Sequence, residues 1–191
     1  PVKEYPKKIK EVFDAYTEKH LHLHPLTDEE KKKLGSRPET YAYGTTLLAV
    51  KISPKGTYRV QLGDGKLSVL DTFGAPFNEL PADPNCYGNI TSSLVQPDAV
   101  QRFRISYQED SASAVVLNSD GYEPEGGFPW KLLDNAIENW KTYQESDLKK
   151  EMVSEDHRGD DQTIVLFLNE NAFTEKYKRA VSYTHLRAHE T

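Results

Sequence analysis

Between Tyr43 and Leu70 the chain fits three β-rich runs into a stretch broken only by two tight turns, and no other feature restricts its fold as much. The first run, Tyr43 to Ile52 (Tyr-Gly-Thr-Thr-Leu-Leu-Ala-Val-Lys-Ile), is rich in apolar and β-branched residues. Ser53-Pro54-Lys55-Gly56 is a turn sequence, and Thr57 to Leu62 is a second run. Gly63-Asp64-Gly65 then makes a tight connection to a third, Lys66 to Leu70. Connections this short predict three antiparallel neighbours, because a parallel return needs about a dozen residues or more.

The flanking segments supply helices and further strands. Ile9, Val12, Phe13 and Tyr16 recur at helical spacing and predict a helix from about Pro6 to His20. Thr27 with Glu30 reads as a capping box that opens a short second helix, closed near Gly35; Lys31-Lys32-Lys33 is its solvated face. Residues 71 to 100 are rich in Pro, Gly, Asn and Asp and predict a long surface excursion. Arg102 to Tyr107 alternates like a half-buried strand, and Ser113 to Asn118 reads as a buried one ending at Ser119-Asp120-Gly121. After Gly126-Gly127 a helix is expected, with Pro129 near its first turn and Trp130, Leu133, Ile137 and Trp140 as its core stripe, continuing polar toward Lys150. An acidic loop, Ser154 to Asp161, leads to a last strand, Thr163 to Leu168. The pattern predicts an α+β fold with helices packed on antiparallel sheets.

Bulk properties exclude several classes. With 191 residues, 37% hydrophobic and 28% charged, the chain has the composition of a single soluble globular domain. A net charge of −6 argues against a nucleic-acid partner. No run approaches the roughly 18 apolar residues that span a bilayer, so no membrane partner is expected. The single cysteine, Cys86, excludes an intrachain disulfide and, with no signal-peptide pattern at the start, points to a cytoplasmic protein. Asn89-Ile90-Thr91 is accordingly read as a chance glycosylation sequon. Ser182 to Thr191 resembles a translated sequencing-adapter read, which leaves residues 1–181 as the domain and places His185 and His189 outside functional reasoning.

Three acidic turns close strong strands: Gly63-Asp64-Gly65, Ser119-Asp120-Gly121 and Gly159-Asp160-Asp161. Each taken singly is ordinary turn chemistry. Together they offer hard oxygen donors of the kind that Mg²⁺ or Mn²⁺ prefers. Zinc-like Cys and His spacing is absent from the same region. His20, His22 and His24 lack a third ligand and are read as a solvated helix end, Trp130 and Trp140 as core, and Arg158 as a loop arginine.

Four short motifs carry a resemblance. Tyr43-Gly44-Thr45-Thr46-Leu47-Leu48-Ala49-Val50 is similar to the Gly-Ser/Thr-Thr strand of type 2C protein serine/threonine phosphatases. Val60-Gln61-Leu62-Gly63-Asp64-Gly65 resembles their Gly-Asp turn, and Leu117-Asn118-Ser119-Asp120-Gly121 their Leu-x-Ser-Asp-Gly motif. Asp160-Asp161-Gln162-Thr163-Ile164-Val165 resembles the closing Asp-Asn/Asp-x-Thr motif. In the family's order they span about residues 41 to 168.

The resemblance implies a four-layer α-β-β-α sandwich of two antiparallel sheets, here missing its N-terminal strands. It implies two Mn²⁺ or Mg²⁺ ions, with Asp120 and Asp160 as ligands. Asp64 and Asp161 would lie beside them, near a third and looser metal position, and Thr163 would steady the Asp160 turn through its hydroxyl. The substrate would be a phosphorylated protein, attacked by metal-activated water without a covalent intermediate. The sequence departs from the family in two places. No Asp-Gly precedes Gly44, where the family has its metal-bridging Asp and a phosphate-binding arginine, and Pro124 stands where many relatives carry a further Asp. The first departure is read as truncation, so the chain as it stands is expected to be inactive. A catalytically dead, phosphoprotein-binding regulatory module is the alternative.

Overall fold

A computed structural model describes residues 4–88, 90–154 and 161–169. Among these described residues six strands form two antiparallel three-stranded sheets, and with five α-helices they make an α+β fold. The first sheet has the order β1 (Leu47–Ser53), β2 (Gly56–Leu62), β4 (Arg104–Gln108). The second has the order β3 (Lys66–Asp71), β5 (Ala112–Asn118), β6 (Ile164–Leu168). The three consecutive runs are therefore not three neighbours. β1 and β2 pair as expected, but β3 leaves for the other sheet. Gly63, at φ +97°, provides the left-handed turn that starts this departure. A short connection fixes proximity; it does not oblige the next strand to pair with the last.

The chain divides into two compact units. One contains residues 1–48, 60–64 and 81–105. Its long helix α1 (Tyr5–Leu23) buries Pro6 and Thr17 and packs Ile9 and Phe13 against Leu62, Leu94 and Ala99, with Leu47 and Phe103 alongside. Val12 and Tyr16, expected in the same stripe, are exposed, because the buried face is rotated toward Thr17. Helix α2 (Asp28–Leu34) carries the predicted capping box: Glu30 N donates to Thr27 Oγ1, and Thr27 N donates to Glu30 Oε2 at 2.8 Å. Gly35 at φ +65° closes it.

The expected strand from Tyr43 begins only at Leu47, because Glu39–Tyr43 forms a 3-10 helix. The Gly44-Thr45-Thr46 segment is instead held from the side. Thr45 N donates to Ser93 Oγ at 2.8 Å, and Leu94 N donates to Thr45 O at 2.9 Å. Residues 71 to 100 are not all surface excursion: Asp83, Ser92 and Leu94 are buried in this unit, and one-turn helix α3 (Ala99–Arg102) follows them.

The other unit contains residues 49–59, 65–80 and 106–191, described as far as Asn169. β3 pairs with β5 from Lys66↔Asn118 to Leu70↔Ala114, and β5 pairs with β6 from Ala114↔Leu168 to Asn118↔Ile164. Leu70, Ala114 and Val116 face a core completed by Tyr122, Leu132, Leu133 and Ile137. Those last three come from α4 (Trp130–Glu138), whose apolar residues fall at helical spacing. Trp130 is not part of that stripe; it is 41% exposed and lies against Phe128. Nor does α4 run on to Lys150. It stops at Asn139, and α5 (Glu145–Ser154) begins separately, tied to α4 by Asn135 Nδ2 donating to Glu151 Oε1 at 3.1 Å. Phe77, outside this cluster, is also buried, its N–H donating to Val69 O.

Candidate active site

Asp120 sits at the apex of a turn built directly onto β5. Asn118, the last residue of that strand, is buried and points its amide under the turn. Its Nδ2 donates to Ser119 O at 2.8 Å and to Tyr122 O at 2.7 Å. Tyr122 N also donates to Ser119 O, and the Tyr122 ring is sealed in the core. The turn is therefore anchored from below, while Asp120 itself is exposed. Among the described residues its carboxylate takes no hydrogen bond or ion pair, which leaves both oxygens available to a cation.

The chain segment before β6 is fastened to the same turn. Ser119 N donates to Thr163 O at 2.9 Å, extending the β5–β6 ladder one step beyond Asn118↔Ile164. The Ser119 hydroxyl then makes two further bonds. It accepts from Thr163 N at 2.9 Å and donates to Asp161 O at 3.3 Å. The exposed Asp120 and Asp161 thus stand on two segments joined through Ser119. The hydroxyl that joins these two segments is that of Ser119; the Asp160 turn that Thr163 was expected to steady lies outside the described residues. Asp160 and Arg158 lie outside the described residues.

Asp64 is half-buried at the turn after β2, in the unit that contains α1. Thr46 packs against Gly63 there. Arg104 Nη2 donates to Gly63 O, and its Nη1 donates to Pro81 O at 3.1 Å, so a β4 guanidinium holds the base of the turn. Nothing in the sequence marks Arg104 for this role. Ser119 had a weak signal, since a serine beside an Asp-Gly turn readily bonds to nearby backbone. Asn118 had another, as a polar residue closing an otherwise apolar run.

Exposed aspartates on backbone-pinned turns fit a hard divalent cation. Among the described residues, however, no group of three or more His, Cys, Asp and Glu is arranged to hold a metal ion. The fit therefore extends to part of a donor set. His20 joins an aromatic ladder instead, with ring centroids 5.9 Å from Tyr16, 4.7 Å from His24 and 5.4 Å from Tyr43. No described helix is long and apolar enough to cross a membrane.

A β5 strand ending in Ser-Asp-Gly, clamped to an Asp-x-Thr strand entry, defines a class that sequence comparison then names. The protein phosphatase 2C family matches residues 3–168, and the chain belongs to that family. Among solved structures it is similar to a bacterial serine phosphatase, with 15% identity and a TM-score of 0.40 over 72% of this chain. It spans 63% of that protein's length. No curated protein matches the chain.

Proposed function

We propose that this chain is the larger part of a metal-dependent protein serine/threonine phosphatase, in which Asp120 and Asp160 are metal ligands and Asp64 and Asp161 lie at the margin of the site. The bound ions, Mn²⁺ or Mg²⁺, would supply an acidified water and a positive clamp for phosphate oxygens. The chain's own contribution is to hold carboxylates at fixed positions. Asn118 and Tyr122 fix the Asp120 turn, Ser119 fixes the approach to β6, and Arg104 fixes the carbonyl below Asp64. The observation that carries this reading is the Ser119 clamp, which joins two of the family's acidic motifs at one corner of the sheet.

No Asp-Gly precedes Gly44, so turnover is proposed for a protein that supplies this bridging group, and the 191-residue chain alone should be nearly inactive. The decisive measurement is Mn²⁺-dependent hydrolysis of a phosphothreonine peptide by the longer protein. Asp120→Asn should lower kcat by about 100-fold or more, in keeping with loss of a metal ligand; undiminished turnover would remove Asp120 from the site. A longer protein that folds and binds phosphopeptide but never hydrolyses it would establish the regulatory alternative.

A further inference from the structure

We propose that Ser119 is a positioning residue: its hydroxyl keeps the Asp120 turn in register with the Asp161–Thr163 segment, so that the two segments take up a divalent cation as one site. The inference rests on the reading of Asp120 as a metal ligand and adds to it the group that sets the ligand's relation to its neighbour.

The β5–β6 ladder ends at Asn118↔Ile164. Beyond a ladder's last pair two strands ordinarily separate, because each further residue costs backbone entropy with no bond to offset it. Here they stay together for one more step. Ser119 N donates to Thr163 O, the Ser119 hydroxyl accepts from Thr163 N, and the same hydroxyl donates to Asp161 O. A single oxygen acts as both acceptor and donor across the gap. Only a hydroxyl at this position does both with full strength; a methyl does neither, and a thiol does each weakly.

The opposite side of the turn is held independently by the buried Asn118 amide. Loss of the Ser119 hydroxyl therefore need not unfold the turn. It frees the Asp161–Thr163 segment to move relative to Asp120. Groups that orient ligands in this way typically matter by about 10- to 100-fold in metal affinity.

The test uses the whole chain labelled with ¹⁵N, titrated with Mn²⁺ and read by paramagnetic broadening of backbone amides, beside amide hydrogen exchange. In the wild type the amides of 119–121 and 161–163 should broaden over one Mn²⁺ range, and the Thr163 amide should exchange slowly. Ser119→Val and Ser119→Thr are the informative pair, since they share size and β-branching and differ in the hydroxyl. Ser119→Val should speed exchange at Thr163 about 10-fold, raise the Mn²⁺ needed at both segments about 10-fold, and split them into two ranges. Ser119→Thr should restore all three. If Val and Thr behave alike, or if Ser119→Val speeds Thr163 exchange and leaves the Mn²⁺ range intact, the positioning role is wrong. Failure of the underlying ligand reading looks different: Asp120→Asn would then leave the broadening unchanged at 119–121.

Discussion

Thr46 fills the space that a side chain at Gly63 would need. A Cβ at position 63 would lie 2.4 Å from Thr46 Cγ2 and 3.1 Å from Ser92 O. Two family motifs, Gly44-Thr45-Thr46 and Gly63-Asp64-Gly65, thus meet as one closed contact. Gly63 is also at φ +97°, where a side chain is strained whatever the space. Gly63→Ala should therefore destabilise the chain by about 2–4 kcal/mol, combining backbone strain and displaced packing. Urea denaturation would show this as a lowered midpoint, and an unchanged midpoint would mean the contact is looser than described.

Asp83 should contribute to acid sensitivity. It is only 7% exposed, and burial alone would push its carboxyl up. The nearby Ser92 hydroxyl and Cys86 thiol, with the Asn85 backbone and side-chain N–H groups that both donate to its Oδ1 at 2.9 Å, outweigh burial and pull it down to about 2. A carboxyl depressed by folding stabilises the folded state above its unfolded value near 3.8. That stability fades as pH falls from about 4 toward 2 and is worth at most about 2–3 kcal/mol. Asp83→Asn should lower stability at pH 7 and flatten the stability curve between pH 4 and 2. Parallel wild-type and mutant curves through that window would refute the assignment.

Arg59 is buried without a carboxylate among its described contacts. At 2% exposure, its Nε donates to Ser106 Oγ and its Nη1 to Asn78 O, both at 2.8 Å, and the guanidinium lies 5.3 Å from the Phe77 ring centre. Burial depresses its pKa. A buried charge stabilises weakly, whereas the stem's packing is retained by an apolar chain of similar length. Arg59→Met is expected within about 1 kcal/mol of wild type and Arg59→Ala about 3 kcal/mol below it. Denaturant midpoints of the two variants check this, and equal losses would show that the charge, not the packing, matters.

Among the described residues β6 has one strand neighbour, β5, and it consists wholly of apolar residues, with Val165 54% and Phe167 43% exposed. An edge strand with no charge or proline on it invites pairing with other chains. Val165→Lys should leave the unfolding midpoint nearly unchanged and reduce self-association in sedimentation velocity at high protein concentration. Equal association by both proteins would acquit the edge.

The strands were legible because alternation and turn residues are local signals. Five of the six begin within about two residues of their predicted starts, and Leu47 is late because the 3-10 turn at Glu39–Tyr43 has no periodic signature. Sheet membership was not legible. Nothing local to Gly63-Asp64-Gly65 distinguishes a hairpin from a move to another sheet. Helix faces were half right: Ile9, Phe13, Leu133 and Ile137 point inward, while Val12, Tyr16 and Trp130 point out, since apolar spacing alone does not say where a burying surface ends. Of the candidate site, the acidic turns were visible as motifs. Of the groups that hold them, Asn118 bonds its own turn, whereas Ser119 and Arg104 act through backbone atoms distant in sequence, which spacing does not encode.

The departure of β3 from β2 bears on how the chain reaches its native state. β3 must find β5 across about forty intervening residues, from Asp71 to Ala112, and β5 must then find β6 across about forty-five, from Asn118 to Ile164. Each closure costs chain entropy before any ladder bond forms. Such non-local pairing places folding toward the millisecond-to-second end of the range. During that interval the five-residue apolar β6 is available to other chains, so refolding yield should fall steeply with protein concentration long before stability becomes limiting.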